Sequence, residues 1–261
     1  MSRTLNYIAG IIQLCMFMFL LIWSISELSG DASQSLAFTV GEYDGTDEGR
    51  VLGEVPLSVL VVLLAMFTLV TGLVHMFAYA RSTGSYQKDV DEGNNWMRWV
   101  EYSVTASIMM FVIAITCGTN SLDTLVLLVS STLCCMICGY ISERTVVLDR
   151  RVSILATLVG WILLLTAFGT VLRRFASIVG QAPEGGGPPS YVWAIVVSMF
   201  LLFMSFGFIH LRHLYVQWTS SDTTPRAFHR RIEASYTVAS MVSKILLVVL
   251  LASGLFARNS V

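Results

Sequence analysis

The stretch Ala234–Ala257, ASYTVASMVSKILLVVLLASGLFA, decides the fold class of this 261-residue chain. Crossing a bilayer takes about 20 mostly apolar residues, and this run is long enough, yet its eleventh residue is Lys244. At about 1.5 Å per residue, Lys244 lies about 15 Å from the start of the run, too deep for its four-carbon stem to reach water easily. A charged lysine at that depth costs at least about 2.5–3.5 kcal/mol, and such residues are functional by default. Three explanations compete. Lys244 forms a structural ion pair, or it lines a transport path, or burial disfavours its charged form and leaves an amine that condenses with a carbonyl as a Schiff base.

The rest of the chain agrees with a membrane setting. It is 55% hydrophobic and 13% charged, against about 25% charged in a soluble domain, and its mean hydropathy is +0.72. A soluble enzyme, a disordered tail and a nucleic-acid binder are excluded, and a net charge of −1 offers no basic face to a phosphate backbone. The 16 basic residues are almost all arginine; Lys88 and Lys244 are the two lysines. The five cysteines (Cys15, Cys117, Cys134, Cys135, Cys138) fall in apolar segments, read as packed thiols without a disulfide framework. The first apolar run is longer than the roughly 7–15 residues of a signal-peptide core, so it reads as a membrane helix.

Seven segments reach spanning length: Leu5–Ile25, Val55–Ala80, Asn95–Gly118, Leu122–Ser142, Val152–Val171, Tyr191–Leu214 and Ala234–Ala257. The expectation is a single all-α domain over 1–261, a seven-helix bundle in the lipid bilayer. Pro56 suits the first turn of the second helix, and Arg173 and Arg174 mark the end of the fifth, before the segment Glu184–Pro189. With the N-terminus in the cytoplasm, eleven Lys/Arg fall on the cytoplasmic side and four outside, so the bias favours N-in and C-out. The long outer loop, Glu27–Glu54, carries seven carboxylates without EF-hand spacing and reads as a solvated acidic cap. Within it, Ser35–Val40 and Val51–Val55, separated by Gly/Asp turn signals, predict a short β hairpin. No repeat of the two-halves transporter kind is visible.

Two neighbours bear on Lys244. Ser240 is four residues earlier, one turn away on the same helix face. Its hydroxyl either hydrogen-bonds a Schiff-base nitrogen or back-bonds its own helix. A buried cation also needs a carboxylate. Glu101 is the acidic residue set inside an apolar segment, although Arg98 at i−3 offers it a surface pair instead.

Seven helices with a mid-helix lysine in the last resemble a retinal-binding rhodopsin. Asn94–Met109 (NNWMRWVEYSVTASIM), Ser235–Lys244 (SYTVASMVSK) and the inverted topology resemble the heliorhodopsins specifically. The resemblance implies all-trans retinal on Lys244 as a protonated Schiff base, Glu101 as counterion and Ser240 as hydrogen-bond partner. It also implies a small sheet from the first loop that covers the outer face and contacts a second protomer, giving a homodimer. Its function would be that of a slow photoreceptor signalling to an unknown cytoplasmic partner. The chain departs from the family at Gln13, where members often carry a cavity histidine. It keeps His75 as the second cavity histidine, and Met204 stands where a polar residue is often found.

A polyene needs an apolar, aromatic slot. Tyr102, Met109, Trp161, Phe200, Phe203 and Phe206 are the candidates for its lining, each competing with plain helix or lipid contact. Trp96, Trp99, Trp193 and Trp218 lie near predicted helix ends and read as interfacial anchors. His210, His213 and His229 show no metal-binding spacing, and no nucleophile–base pair suggests an enzyme. Besides the sensor, light-gated or light-driven ion movement through the same bundle stays open, with Glu184, Gln13 and Met204 in its favour. A retinal-free transporter using Lys244 and Glu101 as a charge pair ranks last.

Overall fold

The computed structural model describes residues 2–29, 35–40, 50–56, 58–80, 84–182, 187–219 and 225–259. Among them are eight helices: α1 (Ser2–Ser29), α2 (Ser58–Ala80), α3 (Ser85–Asp91), α4 (Trp96–Thr116), α5 (Leu122–Thr145), α6 (Arg150–Gln181), α7 (Ser190–Thr219) and α8 (Arg226–Asn259). All but α3 are long and apolar enough to cross a membrane, which makes the chain an integral, multi-pass membrane protein.

Contacts run from α1 to α2, α4, α5, α6, α7 and α8 in chain order, and α8 returns to α1, so the seven spans close into a ring. α4 also touches α7 across the ring and is the most buried span. The apolar centre is formed by Leu64, Phe67, Met110, Ile113, Ile195 and Leu247, all fully buried. Outward faces such as Leu127, Ile162 and Phe208 stay exposed, as a hydrocarbon solvent allows. Close approach of α1 and α2 rests on glycine: a Cβ at Gly72 would meet the Leu14 side chain at 2.8 Å.

The spans differ from the hydropathy reading mainly at their ends. α6 runs ten residues past the expected Val171, through Arg173 and Arg174, and Arg174 Nε–H donates to the carbonyl of Gly118 (3.1 Å). α8 starts at Arg226 rather than Ala234. Lys244 is therefore about 27 Å along its helix rather than about 15 Å. A helix needs only satisfied backbone groups, so charged turns continue it beyond the apolar core. Side-chain caps fix two of the starts. Asp149 accepts the backbone N–H groups of Arg151 and Val152 before α6, and Ser121 accepts that of Thr124 before α5.

Further expectations are corrected. The bundle has an eighth helix, the short α3, packed against α8 and joined to α4 through Gly93 at φ +72°. Of the short hairpin expected in the first outer loop, only the two strands lie among the described residues. The described bundle is built of helices alone. In the loop only two backbone strands, β1 (Ser35–Val40) and β2 (Arg50–Pro56), run antiparallel, with a register irregularity at Phe38/Thr39. Residues 41–49, where the turn was expected, lie outside the described residues, as do 183–186 with Glu184. Pro56 closes β2 instead of opening α2, since its missing N–H also suits a strand end. The cysteines are all free; Cys117 is buried, whereas Cys15 and Cys134 face outward rather than into the core.

Candidate functional site

Lys244 on α8 is fully buried, and its ammonium lies among three side chains from three helices. Nζ donates to Glu101 Oε1 of α4 (2.5 Å), to Thr71 Oγ1 of α2 (2.6 Å) and to Ser240 Oγ one turn back on α8 (3.0 Å). Thr71 in turn donates to Glu101 Oε1 (2.8 Å). The carboxylate thus holds a cation and a hydroxyl on one oxygen, and the ammonium spends its three donors inside the protein. The Tyr102 ring centroid lies 5.6 Å from Nζ, adding a cation–π contact. Sequence spacing found Lys244, Glu101 and Ser240 and missed Thr71, because a lone threonine in an apolar helix carries no signal until the ring closes.

A cavity leads away from Lys244 between α4, α5, α6, α7 and α8, with about 780 Å³ of empty space counting the open solvent at its mouth. Tyr102, Met109, Trp161, Phe203 and Phe206 line it together with Ser240. Phe200 is not on this wall; it packs edge-on against Phe168 (5.7 Å). Glycines shape the slot. A Cβ at Gly207 would meet the Trp161 ring at 2.6 Å, and one at Gly139 would collide with the Trp99 ring. An apolar, aromatic slot with one amine and one carboxylate at its end fits a long polyene aldehyde. Lys244 would hold such a group, and Glu101, Thr71 and Ser240 would surround the linkage.

A smaller cavity borders Glu101 on its other side, lined among others by His75, Tyr86, Asn95, Arg98 and Glu233. His75 Nδ1–H donates to Asn6 Oδ1 (2.9 Å), and Asn6 Nδ2 donates to Tyr86 Oη (3.3 Å). His75 and Glu101 therefore share a polar compartment. Gln13 is not on its wall; it is fully buried, and among the described residues neither of its amide atoms has a partner.

Two residues read as surface or interface groups turn out to be interior. Arg98 does not pair with Glu101; its guanidinium bridges Glu143 of α5 and Glu233 of α8. Glu101 is accordingly one of three buried carboxylates among the described residues. Trp99 is no interfacial anchor either. Its Nε1–H donates to Glu143 Oε2 (3.0 Å), and its ring lines the large cavity. Glu143 and Glu233 fall near helix ends in sequence, where a carboxylate usually meets water; here facing helices cover them. Trp96 and Trp193 are exposed, as anchors should be.

Outside the spans, Asp91 of α3 accepts Arg230 Nε–H (2.7 Å) and Nη2–H (2.8 Å). Those bonds hold its carboxyl below the usual carboxylate range.

The heliorhodopsin family model matches residues 2–256. The fold is similar to three solved rhodopsin structures. The transmembrane domain and linker region of the Salpingoeca rosetta rhodopsin phosphodiesterase superposes with a TM-score of 0.68 at 10% identity, over 99% of this chain and 73% of that one. Thermophilic rhodopsin gives 0.63 at 11% identity over 95% and 92%. The Exiguobacterium sibiricum rhodopsin gives 0.63 at 11% identity over 95% of both chains. At such identities the likeness is one of fold. No curated protein matches the chain. The family match over nearly the whole length decides the assignment: the chain belongs to the heliorhodopsin family, a membership that implies a retinal chromophore and light sensing.

Proposed function

We propose that the protein is a photoreceptor that carries all-trans retinal on Lys244 as a protonated Schiff base, with Glu101 as counterion. The observation that carries this reading is the Lys244–Glu101 contact (2.5 Å) at the closed end of an aromatic cavity. When bound, retinal supplies visible-light absorption and a light-driven change of shape. The chain's own residues do the rest. Glu101 stabilises positive charge at Nζ, and Thr71 and Ser240 fix the direction of the N–H. Tyr102, Trp161, Phe203 and Phe206 confine the slot and exclude water. Turned away from Glu101, Thr71 and Ser240, the Nζ proton would lose the carboxylate that compensates its charge.

The Lys/Arg bias supports an N-terminus in the cytoplasm. A homodimer and a cytoplasmic signalling partner complete the proposal. Purified protein given all-trans retinal is expected to develop a visible band, and Lys244→Ala to lose it; absence of the band in the parent chain, or its survival in the variant, overturns the reading. Glu101→Gln is expected to move the band to longer wavelength or leave an unprotonated, near-ultraviolet form.

A second reading, light-driven or light-gated proton movement, draws on the polar compartment that joins Glu101 to His75, Arg98 and Glu233. On the opposite side of Lys244, Leu64, Met110, Ile113 and Leu247 are buried and apolar, which favours the sensor. Whole-cell current under illumination separates the two: a photocurrent abolished by Glu101→Gln selects transport, and none at any voltage selects the sensor.

A further inference from the structure

Where α1 begins, the same end of the bundle holds one guanidinium between two carboxylates. Arg98 is bonded to Glu143 and Glu233, and the three side chains are 4%, 1% and 9% exposed. Both carboxylates ionised would leave one negative charge uncompensated away from water, an arrangement proteins avoid by pairing or neutralising the group. The other ionisable neighbours are engaged elsewhere: His75, buried in the small cavity, bonds Asn6, and His210, also buried, bonds Ser142. Tyr236 lies under the guanidinium, 4.1 Å from its ring centroid, and its hydroxyl meets His210 Nδ1 (3.2 Å). Arg230 is engaged by Asp91, and Lys244 by Glu101. A proton balances the cluster most simply.

The geometry also provides its route. His213 Nδ1 is 3.9 Å from Glu143 Oε2 and has no hydrogen-bond partner among the described residues. On its other side, His213 Nε2 faces His229 Nδ1 at 3.2 Å. Both imidazoles are buried, and His229 lies in the first turn of α8, against Gly93. We infer that Glu143, His213 and His229 form a one-proton store and relay at this end of the bundle, distinct from the Lys244–Glu101 pair.

Two arrangements keep the His213–His229 bond, and transfer across the 3.9 Å between Glu143 Oε2 and His213 Nδ1 takes a bridging water or a closer approach of the two side chains. In the loaded one, Glu143 carries the proton, His213 Nδ1 is bare, His213 Nε2–H donates to His229 Nδ1, and His229 Nε2 carries hydrogen. In the emptied one, the Glu143 proton has moved to His213 Nδ1, the His213 Nε2 proton to His229 Nδ1, and the His229 Nε2 proton to water. The exchange releases one proton and leaves both imidazoles neutral. Trp99 ties the store to the large cavity, since it lines that cavity and donates to Glu143 Oε2. The store does not depend on a chromophore; its response to light rests on the retinal reading above.

Infrared titration of the retinal-free protein tests the store. A protonated-carboxyl band that titrates reversibly is expected; Glu143→Gln removes it, and Glu233→Gln, which leaves Arg98 and Glu143 as a balanced pair, moves its titration to lower pH. Deuterium exchange at that band is expected to slow in His213→Asn. Carbon-13 NMR of carboxyl-labelled glutamate in the unaltered chain covers the case of a variant that does not fold. No protonated carboxyl by either method, or a band that survives Glu143→Gln, overturns the store. With retinal bound and a visible band present, a pH-indicator dye should report a transient proton change under light that His229→Ala diminishes. A band without that transient overturns the coupling through Trp99.

Discussion

At the scale of the residue, the geometry around Nζ separates groups of the same chemical kind. Ser240 and Ser243 are both buried near Lys244, yet Ser240 meets Nζ, whereas Ser243 back-bonds to the carbonyl of Ser240 (3.0 Å). Thr71 joins the ammonium and the carboxylate, and hydrogen bonds to charged groups contribute about 1.5–3 kcal/mol each. Thr71→Val is expected to lower stability by about that amount and to shift the visible band without abolishing it, as thermal unfolding and absorption on one sample would show. A band unmoved by the substitution would remove Thr71 from the site. Lys244 was legible in sequence because a lysine in apolar surroundings is an anomaly on its own. Thr71 was not, because a threonine in a membrane helix is ordinary.

At the scale of the element, α4 is the span on which the interior turns. One face carries Glu101, Thr105 and Met109 toward Lys244 and the cavity, and Arg98 anchors its first turn to α5 and α8. Removing that arginine leaves two buried carboxylates unpaired, so Arg98→Met is expected to cost about 3–5 kcal/mol in thermal unfolding. Adding Glu143→Gln and Glu233→Gln should recover much of it, because neutral partners no longer need the cation. α5 matters through what it lacks. Gly139 leaves room for the Trp99 ring, and Gly139→Ala is expected to cost about 1–3 kcal/mol by overpacking and to move the visible band, since the same ring lines the cavity. Phe200 shows the limit of periodicity here. Phe200 and Phe203 lie on one helical face, but that face is divided between the cavity and Phe168.

At the scale of the whole molecule, the ring makes one polar end and one apolar end. Asp91 and Arg230 clasp α3 to α8 outside the buried network, with Arg230 half exposed. Asp91 has its carboxyl held below the ordinary value of about 3.9. Its contribution is present above that value and lost as the pH falls through the folded-state value. The gap in unfolding temperature between the parent chain and Asp91→Asn is therefore expected to be small at neutral pH, to shrink in acid, and to shrink in high salt. A gap that widens in acid would contradict this sign.

The sequence by itself determined that the chain crosses a membrane seven times, because apolar length is a property of each segment alone. It also determined that Lys244 is exceptional, because a charge at that depth costs free energy unless it is paired, and the depth is read from one segment. Family membership was legible for the same local reason, in contiguous stretches of the third and last spans. Only the tertiary structure decided that Thr71 stands between Lys244 and Glu101, that Arg98 turns to Glu143 and Glu233, and that Trp99 is a wall rather than an anchor. Those residues lie on helices distant in sequence, and hydropathy says which face of a helix avoids water but not which neighbour it meets. Ring closure sets the neighbours. It turns carboxylates at the helix ends into interior groups, which is why the polar network beside the cavity stayed hidden until the helices were packed.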